Sequence, residues 1–431
     1  MKRQFERLCV LGSTKQKIMK VFLASLAIVL ASASLFASGF SILEQSVPGL
    51  GRGLAGMSAS TDDPSALYFN PAGAAWVERP TLMTGMHILT GRVKFHDDGS
   101  TIPGHKSGDF IRQTEIPNLD YVYPIGDGLN LNLATSATSG TATNYHPQWV
   151  GRYFGIDTSI AVLEVLPSIS YKLSDELAVG VGFYCDYAQM KARQNIPTAQ
   201  YGNDTRLRLE GDSWNYGFTF GLVWKPSDDT SVGIGYRSET DQELRLDSKF
   251  YHIPEIIDLG KRYKDQATLK LKTPQNINLG IQQKITDRLT LMFDVSWSDW
   301  SVMKEMKTTF RKGHLVKENT SVMNWHDSWR FSLGGEYKIN DKWTVRCGTT
   351  FDERAVTKHT TKTVALPDTN RYWICCGFSY QWNEHLRIDV SAQHLFFQPS
   401  HSKQTLAEGQ YIKGSYEGYT NLYSAGIKYE F

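Results

Sequence analysis

Apolar and polar residues alternate with a period of two through most of this chain, from residue 79 to the last residue. In the run 288–300, every second residue from Leu289 to Trp297 is apolar, and the residues between them are mostly polar. A run of this kind predicts a β-strand with one apolar and one polar face.

The alternation recurs in fourteen runs, near residues 80–90, 118–125, 129–138, 163–173, 176–190, 213–225, 230–240, 268–285, 288–300, 329–339, 342–352, 370–382, 384–396 and 420–431. The connections between consecutive runs are alternately short turns and long loops. A soluble sandwich has no reason to keep this order, whereas a membrane barrel has short turns at one rim and long loops at the other. We therefore predict an all-β fold, a transmembrane antiparallel β-barrel of about fourteen strands over residues 79–431.

A barrel of this width cannot fill its lumen with its own side chains. Residues 38–78 precede the first strand, and within them Pro48 to Gly73 is rich in Gly, Ala and Ser and has no strand period. We predict that residues 38–78 form a hatch, or plug, inside the lumen. Charged residues on the polar faces, such as Arg237 and Asp294, are expected to pair there.

The N-terminal residues 1–37 have the pattern of an export signal. Several lysines precede the apolar stretch 21–37, which ends in small residues, as in a secretory signal peptide. Cleavage after Ala33 and cleavage after Ala37 both remain open. Together with the barrel, the signal predicts a location in the bacterial outer membrane.

The bulk composition excludes several classes of protein. A net charge of +2 gives no field that favours nucleic acid, and a mean hydropathy of −0.35 excludes a bundle of transmembrane helices. The five cysteines lack the spacing of metal ligands. No Ser/His/Asp set is suggested by local spacing. We predict no enzyme activity, no cofactor and no metal site.

The long connections carry apolar residues that an exposed loop does not need. A hydrophobic ligand would explain them, and packing of loop against loop is the alternative. The candidate residues for an apolar groove in the outer loops are Trp149, Phe154, Phe250, Tyr251, Ile253, Ile256, Ile257 and Leu259.

The last run of alternation ends at an aromatic residue, Phe431. A closed sheet in a bilayer pairs its last strand with its first, because an open edge leaves backbone groups unsatisfied. A terminal aromatic on the outward face resembles the signal by which bacterial barrels are recognised for assembly. We therefore expect the barrel assembly machinery and outer-membrane lipids as partners.

Several short motifs, in this order, resemble the FadL family of outer-membrane long-chain fatty-acid transporters over nearly the full mature length. They are Gly39-Phe40, Gly49-Leu50-Gly51-Arg52, Asp62-Asp63, Asn70-Pro71-Ala72, Pro117-Asn118-Leu119, Tyr236-Arg237-Ser238-Glu239, Trp325-His326-Asp327-Ser328-Trp329-Arg330, Asp341-Lys342-Trp343 and Ile388-Asp389-Val390-Ser391.

The resemblance implies passive uptake of a hydrophobic substrate from a groove between outer loops into a tighter apolar pocket, followed by lateral exit into the membrane. Asn70, Pro71 and Ala72 would be the hatch motif, and Phe40 the aromatic residue beside the pocket. An inward kink of the third strand would fall at Ser139 and Gly140.

A fatty-acid carboxylate needs one or two cations. In the family these come from the end of the fifth strand and from the loop before the tenth. The matching candidates here are Lys191 or Arg193 and Lys317. Related transporters carry aromatic or other neutral hydrocarbons, which need no cation, and that substrate class is the alternative. Two further hypotheses are an outer-membrane enzyme and a general porin. The enzyme would need a catalytic set at the barrel rim, and the porin would show a large single-channel conductance.

Overall fold

The structure is a computed structural model that describes residues 39–431 apart from residues 110, 112, 407 and 408, with the backbone alone for residues 107–109. The predicted signal peptide, residues 1–37, lies outside the described residues. Helical structure is confined to short pieces: the helix α1 (Val47–Gly51) and the 3₁₀ helices Pro64–Tyr68, Pro71–Trp76, Ala199–Tyr201, Glu255–Ile257 and Trp300–Val302. In the part of the chain that is described, no helix is long and apolar enough to cross a bilayer.

The rest of the fold is one antiparallel sheet whose strands follow each other in chain order. They are β1 (Thr81–Asp97), β2 (Ser107–Asp109), β3 (Thr114–Gly126), β4 (Leu129–Asn144), β5 (Asp157–Lys172), β6 (Leu177–Ile196), β7 (Thr205–Ser227), β8 (Thr230–Arg237), β9 (Thr240–Tyr251), β10 (Arg262–Thr273), β11 (Asn276–Lys284), β12 (Leu289–Ser298), β13 (Glu305–Phe310), β14 (Glu318–Val322), β15 (Ser328–Lys338), β16 (Trp343–Asp352), β17 (Arg371–Gln381), β18 (Leu386–Phe397), β19 (Ser400–Thr405) and β20 (Tyr411–Glu430).

The described strands form a closed barrel of fourteen barrel strands. Five of these fourteen are interrupted once and therefore carry two numbers each, and β2 is a short addition that pairs with β1. The interrupted strands are β8 with β9, β10 with β11, β12 with β13, β14 with β15, and β18 with β19. Closure comes from β1 and β20, which pair from Thr81 opposite Glu430 to Asp97 opposite Gly414. The prediction of a fourteen-stranded barrel is confirmed.

The two faces of the strands differ as the alternation predicts. On β7, the side chains of Trp214, Tyr216, Phe218 and Trp224 point outward and are exposed, while the alternate residues 213, 215, 217, 219, 221 and 223 are buried. In a bilayer these outward aromatic side chains face lipid.

Several strands extend further outward than predicted. Most of the long loop predicted over residues 241–267 belongs to the paired strands β9 and β10. The prediction stopped short because outward positions in residues 241–251 and 262–267 are charged, as in Glu243 and Lys264. Phe250 and Tyr251 therefore belong to the end of a strand.

Residues 39–78, here called the N-terminal segment, are held in shape by capped turns. Ser46, Asp63 and Asn70 each accept a hydrogen bond from a backbone N–H at the start of a short helix, and a proline stands in the first turn of each. These are preferred capping residues, and proline suits a position whose N–H has no helical partner.

The N-terminal segment packs against inward-facing glycines of the strands. A Cβ on Gly348 or Gly334 would overlap the carbonyl group of Arg52, and a Cβ on Gly235 would overlap that of Phe69. The segment's backbone can approach the barrel wall this closely because those positions have no side chain. Hydrogen bonds complete the contact, such as Thr350 Oγ1 donating to the Gly53 carbonyl.

Several charged residues inside the barrel form ion pairs, whereas Asp294 accepts hydrogen bonds from Ser58. The Arg237 guanidinium pairs with Glu164 and lies between the rings of Tyr68 and Tyr184, 4.2 and 4.4 Å from their centroids. Glu336 pairs with Arg346 at 3.1 Å. Since Tyr68 belongs to the N-terminal segment, the Arg237 contact also ties the segment to the strands.

We expect Gly348→Val to displace the N-terminal segment and leave the barrel closed, because the three atoms nearest a Cβ at this position all belong to Arg52 and Gly53. Limited proteolysis should then cut within residues 39–78, while the barrel keeps its heat-modifiable mobility on a gel.

Cys347→Val is the matched control, because Cys347 is the neighbouring residue on the exposed face of β16. Equal protease resistance of Gly348→Val and the parent protein would contradict the close approach.

Candidate functional site

The largest apolar cluster in the described residues surrounds Phe40 and is here called the Phe40 cluster. It joins the N-terminal segment to strands β5, β6, β7, β9, β10 and β13 and to residues of three long connections. Its buried members are Phe40, Ile160, Val162, Ala188, Met190, Leu207, Leu244, Leu246, Phe250, Ile253, Ala267, Leu269, Leu271, Trp300, Met303, Phe310, Met323, Trp325, Ala355, Val356 and Leu366.

Two tryptophans enclose Phe40 within the cluster. The ring of Phe40 meets Trp300 edge to face at 5.0 Å and Trp325 at 6.2 Å. The preceding Gly39 has φ +66, and a Cβ there would overlap the Trp300 ring. Glycine at this position therefore allows the chain to turn beside the indole and present Phe40 to the cluster.

The backbone around Phe40 pairs with the third barrel strand, β4. Ile42 N donates to Thr138 O at 2.8 Å, and Gly140 N donates to Phe40 O at 2.8 Å. Ser41 forms an antiparallel bridge with Ser139 between these two bonds. The predicted pocket residue and the predicted kink residues therefore share one patch of backbone pairing.

Strand β4 is irregular where it receives this pairing. Its register with β5 shifts between Ala137 and Ser139, and its pairing with β3 ends at Ser136. Residues 137–143 are buried on both faces, although the alternation holds earlier in the strand. A β-bulge bends a strand and disrupts its ladder, and here the bent portion lies away from the lipid-facing surface.

Six of the eight predicted groove residues belong to, or pack against, two separate clusters. Phe250 and Ile253 are buried in the Phe40 cluster, and Ile257 and Leu259 pack against it. Tyr251 is half-buried, and Ile256 is 74% exposed.

The remaining two groove residues lie elsewhere. Trp149 stacks on Tyr145 with ring centroids 3.9 Å apart, in a separate cluster against which Phe154 packs. This second cluster also contains Phe95 and Tyr416 from β1 and β20.

The three candidate cations are not brought together. Lys191 is exposed on the outer side of β6 and pairs with Glu210 at 3.5 Å. Arg193 pairs with Asp157, and Lys317 is exposed beside Val316, which packs against the Phe40 cluster. Lys191 and Arg193 share the outward face of β6, on either side of Ala192, which packs against the Phe40 cluster.

The Asn70 side chain makes three contacts from a fully buried position. Its Oδ1 accepts from Ala72 N at 3.0 Å, and its Nδ2 donates to the carbonyl groups of Ser58 and Leu222 at 2.6 and 3.0 Å. One amide therefore caps a turn, joins two parts of the N-terminal segment and attaches them to β7. Pro71 and Ala72 lie directly against the inward Gly180.

A buried lysine in the connection between β16 and β17 was not predicted. Lys362 is 2% exposed and donates to Ser400. Burial lowers the pKa of its ammonium group to about 8, against the Asp368 carboxylate, which raises it. The same connection places Leu366 in the Phe40 cluster. Nothing in the sequence around Lys362 indicates that it is buried, because a single lysine among polar residues is usual in an exposed loop.

Trp300, Trp325 and Phe310 were also absent from the predicted site. Phe310 and Trp325 lie in the predicted long connection 301–328, and Trp300 is the last residue of the predicted strand run 288–300. Their bulky apolar side chains outside the alternation were the available signal, because an exposed loop gains nothing from them.

Comparison with known proteins now identifies the family. A family model described as "Outer membrane protein transport protein (OMPP1/FadL/TodX)" matches residues 28–431. The chain belongs to this family. The resemblance found in the sequence motifs is confirmed, and the outer-membrane location follows from the family.

Individual relatives cover nearly the whole chain at low identity. The long-chain fatty acid transport protein of Escherichia coli K12 is 24% identical over 443 residues, covering 94% of this chain and 97% of that protein. Outer membrane protein P1 of Haemophilus influenzae Rd is 23% identical, with coverages of 96% and 100%.

Solved structures agree with the fold. A FadL homologue of Pseudomonas aeruginosa matches with a TM-score of 0.83 at 23% identity, covering 91% of this chain and all of that one. The toluene transporter TodX of P. putida matches with a TM-score of 0.69 at 15% identity, covering 92% and 99%. At these identities the likeness concerns the fold.

We expect Asn70→Asp to loosen the N-terminal segment more than Asn70→Ala does. Aspartate is as good a cap as asparagine, but here its second oxygen would face the carbonyl groups of Ser58 and Leu222 from a buried position. Hydrogen exchange of the amides in residues 56–75 should rise in both variants, and further in Asn70→Asp. If the amides of Asn70→Asp exchanged as slowly as those of the parent protein, Asn70 would act only as a helix cap, and its bonds to Ser58 and Leu222 would not hold the segment.

Proposed function

We propose that this protein carries long-chain fatty acids or similar hydrophobic molecules across the outer membrane by passive diffusion, with residues 38–78 as its hatch. The observation that carries the proposal is the position of Phe40, which belongs to the apolar cluster through its ring and to the bent strand β4 through its backbone. A ligand that enters the cluster displaces the ring, and the ring's displacement acts on the backbone pairing at the bend.

The two ends of this path suit an apolar cargo. Burial of a hydrocarbon chain gains about 0.8 kcal/mol per methylene, and the Phe40 cluster reaches residues of the long connections such as Ile253. At the other end, the pairing of β3 and β4 stops at Ser136. The gap in that pairing supports lateral exit between the two strands, which spares the apolar chain a passage through the polar lumen.

The close packing of the N-terminal segment against inward glycines of the wall argues against a general porin as the alternative. The cavity lined by Ser41 and Leu43 measures only about 30 Å³. Its lining includes Arg237 and Arg330, which lie beside residues of the N-terminal segment.

The C-terminal strand supports recognition by the barrel assembly machinery, which we propose as a partner. The Phe431 ring is 60% exposed and lies edge to face with Tyr429 at 4.9 Å, and Phe431 N donates to Pro80 O. The terminal aromatic is therefore anchored by its backbone, with its ring accessible.

We expect a disulfide between Ser41→Cys and Ser139→Cys to stop uptake reversibly. The two residues form an antiparallel bridge, and paired residues in such a bridge have a Cα separation within the range of a disulfide. The parent for this test lacks the four free cysteines of the barrel, Cys185, Cys347, Cys375 and Cys376.

Oxidation should abolish uptake of labelled oleate in a transporter-null host, and a reductant should restore it. The single variant Ser139→Cys is the control. Full uptake by the cross-linked protein would overturn the role given to the Phe40 backbone.

The substrate class can be tested at the candidate cations. If a carboxylate is recognised, Arg193→Gln and Lys317→Gln should weaken oleate uptake several-fold, because each removes a cation near the Phe40 cluster. Lys284→Gln is the control, since Lys284 ends β11 at a short turn, away from the Phe40 cluster, and pairs with Asp229 and Asp287. Uptake of a neutral hydrocarbon such as toluene should not change in any variant.

Oleate uptake that is unaffected by both changes, together with efficient toluene uptake, would favour the channel for aromatic or other neutral hydrocarbons.

A further inference from the structure

The outer wall of the barrel behind the Phe40 cluster carries a row of like charges. In the strand pairing, Arg208 of β7 lies opposite Lys249 of β9, and Lys249 lies opposite Lys264 of β10. Their immediate neighbours in the chain, such as Leu207 and Phe250, point inward to the cluster. Arg208, Lys249 and Lys264, here called the basic row, therefore share the outward face.

Such an arrangement is unfavourable without a partner. Side chains directly opposite on neighbouring strands have Cβ atoms about 5 Å apart, and like charges at that spacing repel. Among the residues that the structure describes, no ion pair involves a member of the basic row. Two residues further outward, Arg206 and Arg262 add more positive charge on either side of Tyr251.

Other cations on the same outer wall form ion pairs with acidic residues of neighbouring strands. Lys191 pairs with Glu210, Lys270 with Glu243 at 3.4 Å, and Lys272 with Asp241 at 3.1 Å. Cross-strand acids thus neutralise the wall in other rows. The basic row is an exception within one continuous surface.

The surface next to the basic row is concave. A groove of about 810 Å³ runs between the outer sides of β9, β10 and β13. Its lining includes Asp247 and Gln266, which lie on the same face as Lys249 and Lys264, two residues closer to the membrane along each strand. Arg245 and Arg311 also line it. A bulky polar group bound at the row would have room beneath it.

The height of the row indicates the kind of ligand. Trp214 lies on the same outward face of β7 and is 60% exposed, at the outer end of the lipid-facing aromatic residues. Arg208 lies about 20 Å beyond Trp214 along the strand at ~3.3 Å per residue, or about 15 Å higher for a tilt near 40°. The row therefore stands above the hydrocarbon, level with lipid head groups.

We propose that the basic row binds the phosphate groups of a phosphorylated glycolipid of the outer leaflet, through the sugar head group. Phosphate oxygens accept charge-assisted hydrogen bonds from arginine and lysine, and two or three phosphates on one head group match a row of neighbouring cations. The glycolipid neutralises the row and fixes the wall that backs the Phe40 cluster.

The test compares two triple variants of the full-length protein in detergent. Arg208→Gln/Lys249→Gln/Lys264→Gln removes the row, and Lys191→Gln/Lys272→Gln/Lys413→Gln removes three exposed cations that pair with acids. Both lose the same charge. The probe is lipopolysaccharide with a phosphorylated core, followed by native mass spectrometry and by titration, and heat-modifiable gel mobility checks that both barrels are folded.

The row variant should bind the phosphorylated lipopolysaccharide at least about tenfold more weakly than the parent, and the control variant about as well as the parent. Dephosphorylated lipopolysaccharide should bind the parent as weakly as it binds the row variant. Equal weakening in both variants would reduce the effect to general charge and overturn the proposal. So would displacement of the glycolipid by millimolar inorganic phosphate, because the row would then be a site for the free anion.

Discussion

Backbone hydrogen bonding in a medium without water is the constraint on which the rest of this structure depends. Each strand needs a partner on both sides, and the pairing of β1 with β20 meets that need by closing the sheet. Closure at fourteen strands makes the lumen too wide for side chains to fill. The backbone of the N-terminal segment lies against inward-facing glycines of this wall, such as Gly348.

The same constraint explains the site. Beyond Ser136, β4 no longer pairs with β3, and part of its backbone instead pairs with residues 40–42. The irregularity that bends the strand thus creates the binding place for the residues that present Phe40. Apolar side chains from the strands and the long connections then enclose that ring, which links the outer loops to the bend.

Much of this could be predicted from the sequence, because alternation follows from the two faces of a strand. The barrel and its strand number came from the alternation, and Phe40, Ser139 and Gly140, which lie in one patch of backbone pairing, were named from the family resemblance. Burial of single residues in the long connections could not be predicted, because alternation does not extend into them. Ile256 and Ile257 differ in burial although they are adjacent in sequence. A strand's outer end carries charge on its outward face, so β9 was interpreted as a loop.

The backbone pairing between Phe40 and β4 has a consequence for energy supply. Any motion that separates them leaves N–H and C=O groups unpaired among apolar side chains, where each unpaired group costs about 1–3 kcal/mol. An apolar cargo has no hydrogen bonds to offer in exchange. In the proposed path, the strand edge re-forms its hydrogen bonds with the displaced residues once the cargo has gone, so this step draws on no separate source of energy.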